Sequence, residues 1–221
     1  MNTADRIYAI YDRLRTANGP QHWWPADSPW EVIVGAILTQ SAAWTNVEKA
    51  IANLKAAGLL SPEGIHAAGQ DDLARLVYPS GYYNAKARKL KAFAQRLHDG
   101  YQGQLEALFA LDLASLRTEL LSIHGVGPET ADSIILYAAG KPSFVIDAYT
   151  RRITCRLGLA HPSISYQDLR ALLMASLPPD ARLFNEFHAL LVCLAKEACR
   201  KRPLCQQCPL TPDLCPGSAA R

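Results

Sequence analysis

The chain has 221 residues, with 23 Lys+Arg against 20 Asp+Glu and a formal charge of +3, an excess too small to announce a nucleic-acid partner. At 49% apolar and 19% charged it can bury a core and is not a disordered chain. No apolar run approaches the ~20 residues of a membrane helix, and Met1 to Gly19 lacks a signal peptide's apolar centre, so a soluble intracellular protein with no membrane partner is expected. Taken along the chain, the pattern reads as helix nearly everywhere. Ala4 to Ala17 carries Ile7, Ile10, Tyr11 and Leu14 on one helical face. Ser28-Pro29-Trp30-Glu31 then reads as a capping box, opening a helix through Leu38 that is apolar nearly all round and should be central. Further helices are expected near Thr45 to Ala57, Gln70 to Val77, Asn84 to His98, Gln104 to Leu111, Ala114 to Ser122, Pro128 to Ala139, Ala148 to Leu157, Ser165 to Ser176 and Ala181 to Cys199. Only Ser143 to Ile146 reads as extended, so the expected class is all-α.

The charge is unevenly spread. Residues 1–180 hold equal numbers of basic and acidic side chains, so the whole excess lies in residues 181–221. Within the neutral part, Leu73 to His98 carries six basic residues and no acidic one, which is either a solvated helix face or a phosphate-binding surface. Four of the six cysteines fall in the last 23 residues, as Cys199-x5-Cys205-x2-Cys208-x6-Cys215, among Pro203, Pro209, Pro212 and Pro216. A disulfide framework would be spread through a small secreted chain instead. Four thiolates converging on a metal or cluster would fold such a loop, and the spacing alone leaves zinc and iron-sulfur both open.

Leu120 to Leu136 sets Gly125 and Gly127 between two apolar-periodic helices, the second opening at Pro128 with free backbone N–H groups suited to a phosphate. Asp147 closes the apolar Phe144-Val145-Ile146 and precedes Tyr149-Thr150-Arg151-Arg152, where an N-cap is its simplest role. This hairpin, the Pro142-to-Asp147 segment and the four late cysteines, in that order, resemble the helix-hairpin-helix DNA glycosylases of the endonuclease III superfamily, and the resemblance runs from Trp30 to Cys215.

The resemblance implies two helical domains with DNA bound across the cleft between them. One is a six-helix domain at 25–136 with the hairpin; the other joins 1–24 to 137–221 and includes a C-terminal [4Fe-4S] cluster loop at 199–215, held by Cys199, Cys205, Cys208 and Cys215. The outer cysteine gaps are five and six residues where the endonuclease III pattern has six and five. Asp147 matches the family's catalytic aspartate, able to stabilise a cationic sugar or activate water. Glu129 stands where bifunctional members carry a lysine; it cannot form a Schiff base, so base removal without efficient strand cleavage is expected, with Glu129 either catalytic or simply a first-turn acid. The segments His22-Trp23-Trp24-Pro25 and Leu38-Thr39-Gln40-Ser41-Ala42-Ala43-Trp44 are similar to the 3-methyladenine glycosylase branch of Helicobacter-type bacteria, a branch that typically lacks the cysteine loop. Trp23, Trp24 and Trp44 would line a pocket for a cationic alkylated purine, or else pack as ordinary tryptophans.

The same comparison places Tyr82 as the wedge entering the duplex and Gln40 as the residue filling the space of the extruded base. Lys86, Arg88 and Lys89, the hairpin residues His124, Gly125, Val126 and Gly127, and Arg151 and Arg152 are the expected DNA contacts. The implied protein is a monomeric bacterial cytoplasmic enzyme that associates with the nucleoid through double-stranded DNA carrying a damaged base. Glycosylases for oxidised pyrimidines or for uracil or thymine mismatches, and a non-catalytic iron-sulfur DNA-binding protein, are the alternative readings.

Overall fold

The computed structural model describes residues 2–210 and 214–215. Among them the order is α1 (Thr3–Asn18), α2 (Pro29–Leu38), α3 (Trp44–Ala56), α4 (Pro62–Ala67), α5 (Gln70–Leu76), α6 (Tyr83–Tyr101), α7 (Leu105–Phe109), α8 (Leu113–Ser122), α9 (Pro128–Ser133), α10 (Ala148–Arg156), α11 (Tyr166–Ala175) and α12 (Ala181–Glu197). Among the described residues there is no strand, and no helix is long and apolar enough to cross a membrane. The expected loop at 199–215 is described apart from residues 211–213, and Pro212 and Pro216 lie outside the described residues. The chain divides into two units, Ala26–Ala139 and Met1–Pro25 with Gly140–Arg221.

In the unit from Ala26 to Ala139, α2 is the central helix. Its Ser28 hydroxyl accepts from the Glu31 amide at 3.2 Å and Pro29 fills the first turn. The Glu31 carboxylate accepts from the Asp27 amide at 3.2 Å, one residue short of the reciprocal bond a capping box would make. Every residue from Trp30 to Leu38 is buried, and each fully buried Ile, Leu or Val adds about 1.5–3 kcal/mol of transfer free energy. Trp30 meets Phe93 of α6 edge-on, at 5.9 Å between ring centroids. α9 was expected to run unbroken to Ala139; instead it widens into a π-helical turn over Ile134–Ala138 that packs on α2. α4 was not expected at all, although Ser61 caps it through the Gly64 amide at 2.9 Å and Pro62 opens it. At six residues it is too short to display a periodic face.

In the other unit, α12 and α1 lay their apolar faces together, with Tyr11 edge-on to Phe187 at 5.5 Å. The extended residues 143–146 feed this core. Phe144 is fully buried and meets Phe184 and Phe187 at 5.5 and 5.7 Å, so the backbone entering Asp147 is fixed by packing, without a sheet. Ser143 is likewise fully buried, its hydroxyl accepting from the Arg170 Nε and Nη2 at 3.1 and 2.8 Å.

Candidate active site and nucleic-acid interface

Asp147 caps α10, its Oδ1 accepting from the Thr150 amide at 2.7 Å. Its Oδ2 is turned toward the Nε2 of His188 on α12, 3.7 Å away, and the carboxylate keeps 18% of its surface exposed. His188 is itself only 5% exposed. Burial holds its imidazole below the ordinary histidine range, opposed by the charge of Asp147, so the ring facing the carboxylate is neutral near pH 7. The N-cap reading of Asp147 and a chemical one are therefore compatible: one oxygen is spent on the helix and the other is held beside a neutral ring. His188 was missed in the sequence because a lone histidine within Phe184-Asn-Glu-Phe-His-Ala-Leu-Leu191 reads as core.

The other expected residues of this unit take mostly structural partners. Arg151 Nη1 donates to the Ile164 carbonyl at 2.5 Å, and Arg152 Nε to that of Cys199 at 3.1 Å. Arg156, one turn on from Arg152, donates to the Cys199 sulfur at 3.4 Å and to the carbonyls of Arg200 and Lys201 at 2.5 and 2.9 Å. Two arginines of α10 thus grip the start of the cysteine loop. Arg6 of α1 holds its far end through the Leu214 carbonyl at 3.0 Å. Burial pushes the Cys208 thiol up, and Cys199, Cys215 and Cys205 add to the effect, so Cys208 lies within electrostatic reach of the other three. No disulfide joins any of the six cysteines, and among the described residues no three His, Cys, Asp or Glu gather as tightly as the ligands of one metal ion. Trp23 and Trp24 are half-buried; the Lys196 ammonium sits 5.6 Å from the Trp23 ring centroid, and Trp24 holds the left-handed φ of 68°.

In the unit from Ala26 to Ala139 the hairpin is the organising feature. Gly125 adopts φ 84°, and a Cβ there would stand 2.3 Å from the Lys89 side chain, so both backbone and neighbour require glycine. Gly127 has an ordinary φ of −89°, and a Cβ on it would meet nothing within 4 Å; the protein itself does not need this glycine. His124 and Glu129 are exposed. Val126 departs from its expected role, since its side chain is 5% exposed and its amide is spent on the Ile123 carbonyl at 3.1 Å. The two hairpin helices are joined by a bidentate pair that sequence reading did not find, Arg117 Nε to Asp132 Oδ1 at 2.9 Å and Nη2 to Oδ2 at 3.1 Å, with Asp132 wholly buried.

Gln40 reaches this hairpin. Its Nε2 donates to the Gly125 carbonyl at 3.1 Å and the Thr130 hydroxyl at 2.9 Å, while its Oε1 accepts from Lys89 Nζ at 2.5 Å. Tyr82 stands out at 75% exposure with φ 45°, directly before α6, and Arg88 is exposed on that helix. Trp44 is half-buried, its Nε1 donating to Glu48 Oε1 at 2.8 Å. Lys86 is a correction: expected on DNA phosphates, it is 1% exposed and donates to the Leu38 and Ser80 carbonyls. Its place on the α6 face shared by Leu90, Phe93 and Leu97 puts it inside the molecule.

An all-α chain with a glycine hairpin, an exposed tyrosine at a helix start and a helix-capping carboxylate matches the framework that the sequence resemblance implies. The family comparison matches residues 34–179 to HhH-GPD superfamily base excision DNA repair proteins. The chain belongs to that superfamily and is a DNA glycosylase of the base excision repair class. A candidate DNA repair glycosylase of Methanocaldococcus jannaschii is 45% identical over 211 residues, 95% of this chain and 96% of that protein. Endonuclease III of Sulfolobus acidocaldarius is 28% identical over 178 residues, covering 80% of this chain and 77% of its own. Among solved structures, the H. pylori 3-methyladenine DNA glycosylase MagIII bound to 1,N6-ethenoadenine superposes with a TM-score of 0.74 at 26% identity, over 89% of this chain and 98% of that one. An endonuclease III–DNA complex gives 0.84 at 24% identity, over 100% and 99%, a likeness of fold.

Proposed function

We propose that the protein hydrolyses the bond between a damaged base and its deoxyribose in double-stranded DNA, and that alkylated purines such as 3-methyladenine are its principal substrates. The observation that carries the hydrolytic reading is Asp147, a carboxylate with one oxygen left for chemistry; the sequence adds Glu129 at the position that matches the lysine of bifunctional members. As the glycosidic bond lengthens, positive charge grows on the sugar, and the fixed charge of Asp147 stabilises it or draws a proton from the attacking water. An amine that could attack the sugar and nick the strand is missing at 129, so cleavage ends at base release. Borohydride should therefore trap little or no covalent adduct on an abasic duplex; a high yield would show that another amine acts and would defeat the hydrolytic reading.

The alkylated-base reading is supported by the likeness to the H. pylori 3-methyladenine glycosylase and by Trp23, whose ring already attracts the Lys196 cation. Endonuclease III relatives and the cysteine loop favour the second reading, an oxidised-pyrimidine or mismatch glycosylase. A panel of single-lesion duplexes decides between them, scored with and without alkali: release of 3-methyladenine in preference to thymine glycol or mismatched uracil is the expected result. We further propose that Cys199, Cys205, Cys208 and Cys215 hold a [4Fe-4S] cluster. The reading is supported by the four cysteines closely spaced in one loop, by the electrostatic reach of Cys208 to the other three, and by the likeness to endonuclease III proteins. Bound there, a cluster would tie the loop together through the four cysteines, and the hydrolytic steps would be left to the side chains. Purified protein should contain iron and absorb in the visible as a cluster does; stoichiometric zinc without iron would overturn the assignment.

A further inference from the structure

We infer that Lys86 is a positioning residue that ties the Tyr82 wedge to Gln40, so that the two side chains probe a base pair as one rigid unit. The inference rests on the reading above, in which Tyr82 and Gln40 enter the duplex. The Lys86 ammonium is buried with its Nζ 2.8 Å from the Leu38 carbonyl, at the end of α2, and 2.6 Å from the Ser80 carbonyl, at the end of a 3-10 turn over Tyr78–Ser80. Gln40 lies two residues after Leu38 and Tyr82 two residues after Ser80.

Both attachments have local physical reasons. Leu38 O is among the last carbonyls of a helix, which lack helical donors and carry the negative end of the dipole, a favourable seat for a cation. The loop to Tyr82 needs an anchor because Gly81 and Tyr82 take consecutive left-handed conformations, φ 69° and 45°, and Tyr82 projects into solvent. Burial, reinforced by the charge of Lys89, brings the Lys86 pKa down to about 8, a cost against which the two carbonyl bonds are set. Methionine would fill the same channel at less desolvation cost; what lysine adds is two directed bonds to two separate DNA-probing elements. From Gln40 the connection continues through its bonds to Gly125 and Thr130, so the wedge, the gap-filling residue and the hairpin share one bonded framework.

The test compares wild type, Lys86→Met, Tyr82→Ala and the double variant on one strand carrying an alkylated adenine, paired either with thymine or with an abasic-site analogue. Lys86→Met is expected to lower kcat/KM about tenfold on the fully paired duplex and less than about twofold opposite the abasic analogue, where no pairing resists extrusion. The double variant should be no slower than Tyr82→Ala, since Lys86 acts through the wedge. Hydrogen exchange of the free protein is an independent readout: the Ser80 and Gly81 amides should exchange about tenfold faster in Lys86→Met, with those of Leu90 to Leu97 unchanged. Equal losses on both duplexes, additive losses in the double variant, or unaltered exchange at Ser80 and Gly81 would overturn the inference. Wild type inert on both duplexes would overturn the alkylated-base reading instead, and the exchange result would still decide the anchor. Should Lys86→Met fail to fold, Lys86→Gln, which keeps an N–H donor for one carbonyl, makes the same comparison.

Discussion

Asp147→Asn should slow base release from an alkylated duplex by about 10²–10³-fold while hardly moving the urea midpoint of the protein. The asymmetry follows from the division of labour between the two oxygens. Asparagine caps helices about as well as aspartate, so its Oδ1 can go on accepting from the Thr150 amide and α10 keeps its start. What is lost is the negative charge opposite the developing sugar cation. Asp147→Ala removes both functions and should add a stability loss of about 1 kcal/mol. If Asp147→Asn released base at the wild-type rate, or altered only the affinity for DNA, Asp147 would be an N-cap and nothing more.

Arg117→Met should destabilise the protein by about 3–5 kcal/mol, measured as a shift in denaturant midpoint at unchanged slope. The side chain it replaces makes both bonds of the bidentate pair to Asp132, whose carboxylate is fully buried between α8 and α9. Removing the guanidinium takes both of these charge-assisted bonds from a carboxylate held away from water. Replacing the pair together, as Arg117→Met with Asp132→Leu, should recover much of the loss, because a buried ion pair is often no better than apolar groups of similar volume. A single-variant loss below about 1 kcal/mol would show that the pair is dispensable. Since these helices flank the hairpin, the single variant should also weaken binding to undamaged duplex.

The helices with long apolar faces, and the cap at Ser28, were legible because burial and capping act on residues close in sequence. The roles proposed for Asp147 and Glu129 have a different source, since the resemblance attaches them to short motifs. What could not be read were the pairings made only in the folded chain. Arg117 and Asp132 are fifteen residues apart, and nothing local marks them as partners. Arg152 and Arg156 look like a basic patch, yet their guanidinium groups are turned onto carbonyls of the cysteine loop. Lys86 is the instructive error. Its position in the stripe with Leu90, Phe93 and Leu97 was visible as periodicity, but the charge run around it pointed to surface. A lysine in a buried register position should prompt a search for carbonyls at helix and turn ends.

The grip of α10 on the cysteine loop carries a genealogical consequence. Arg152 and Arg156 together donate to three carbonyls and one sulfur between Cys199 and Lys201. A lineage that discards the loop would take every one of these acceptors from Arg156 and leave Arg152 only the Ala195 carbonyl and the Tyr149 ring, on the helix that Asp147 begins. Loop and arginines should therefore be inherited or lost together. In descendants stripped of the four cysteines, positions 152 and 156 should have drifted to residues that need no such acceptors, or a new segment should have arrived to receive them.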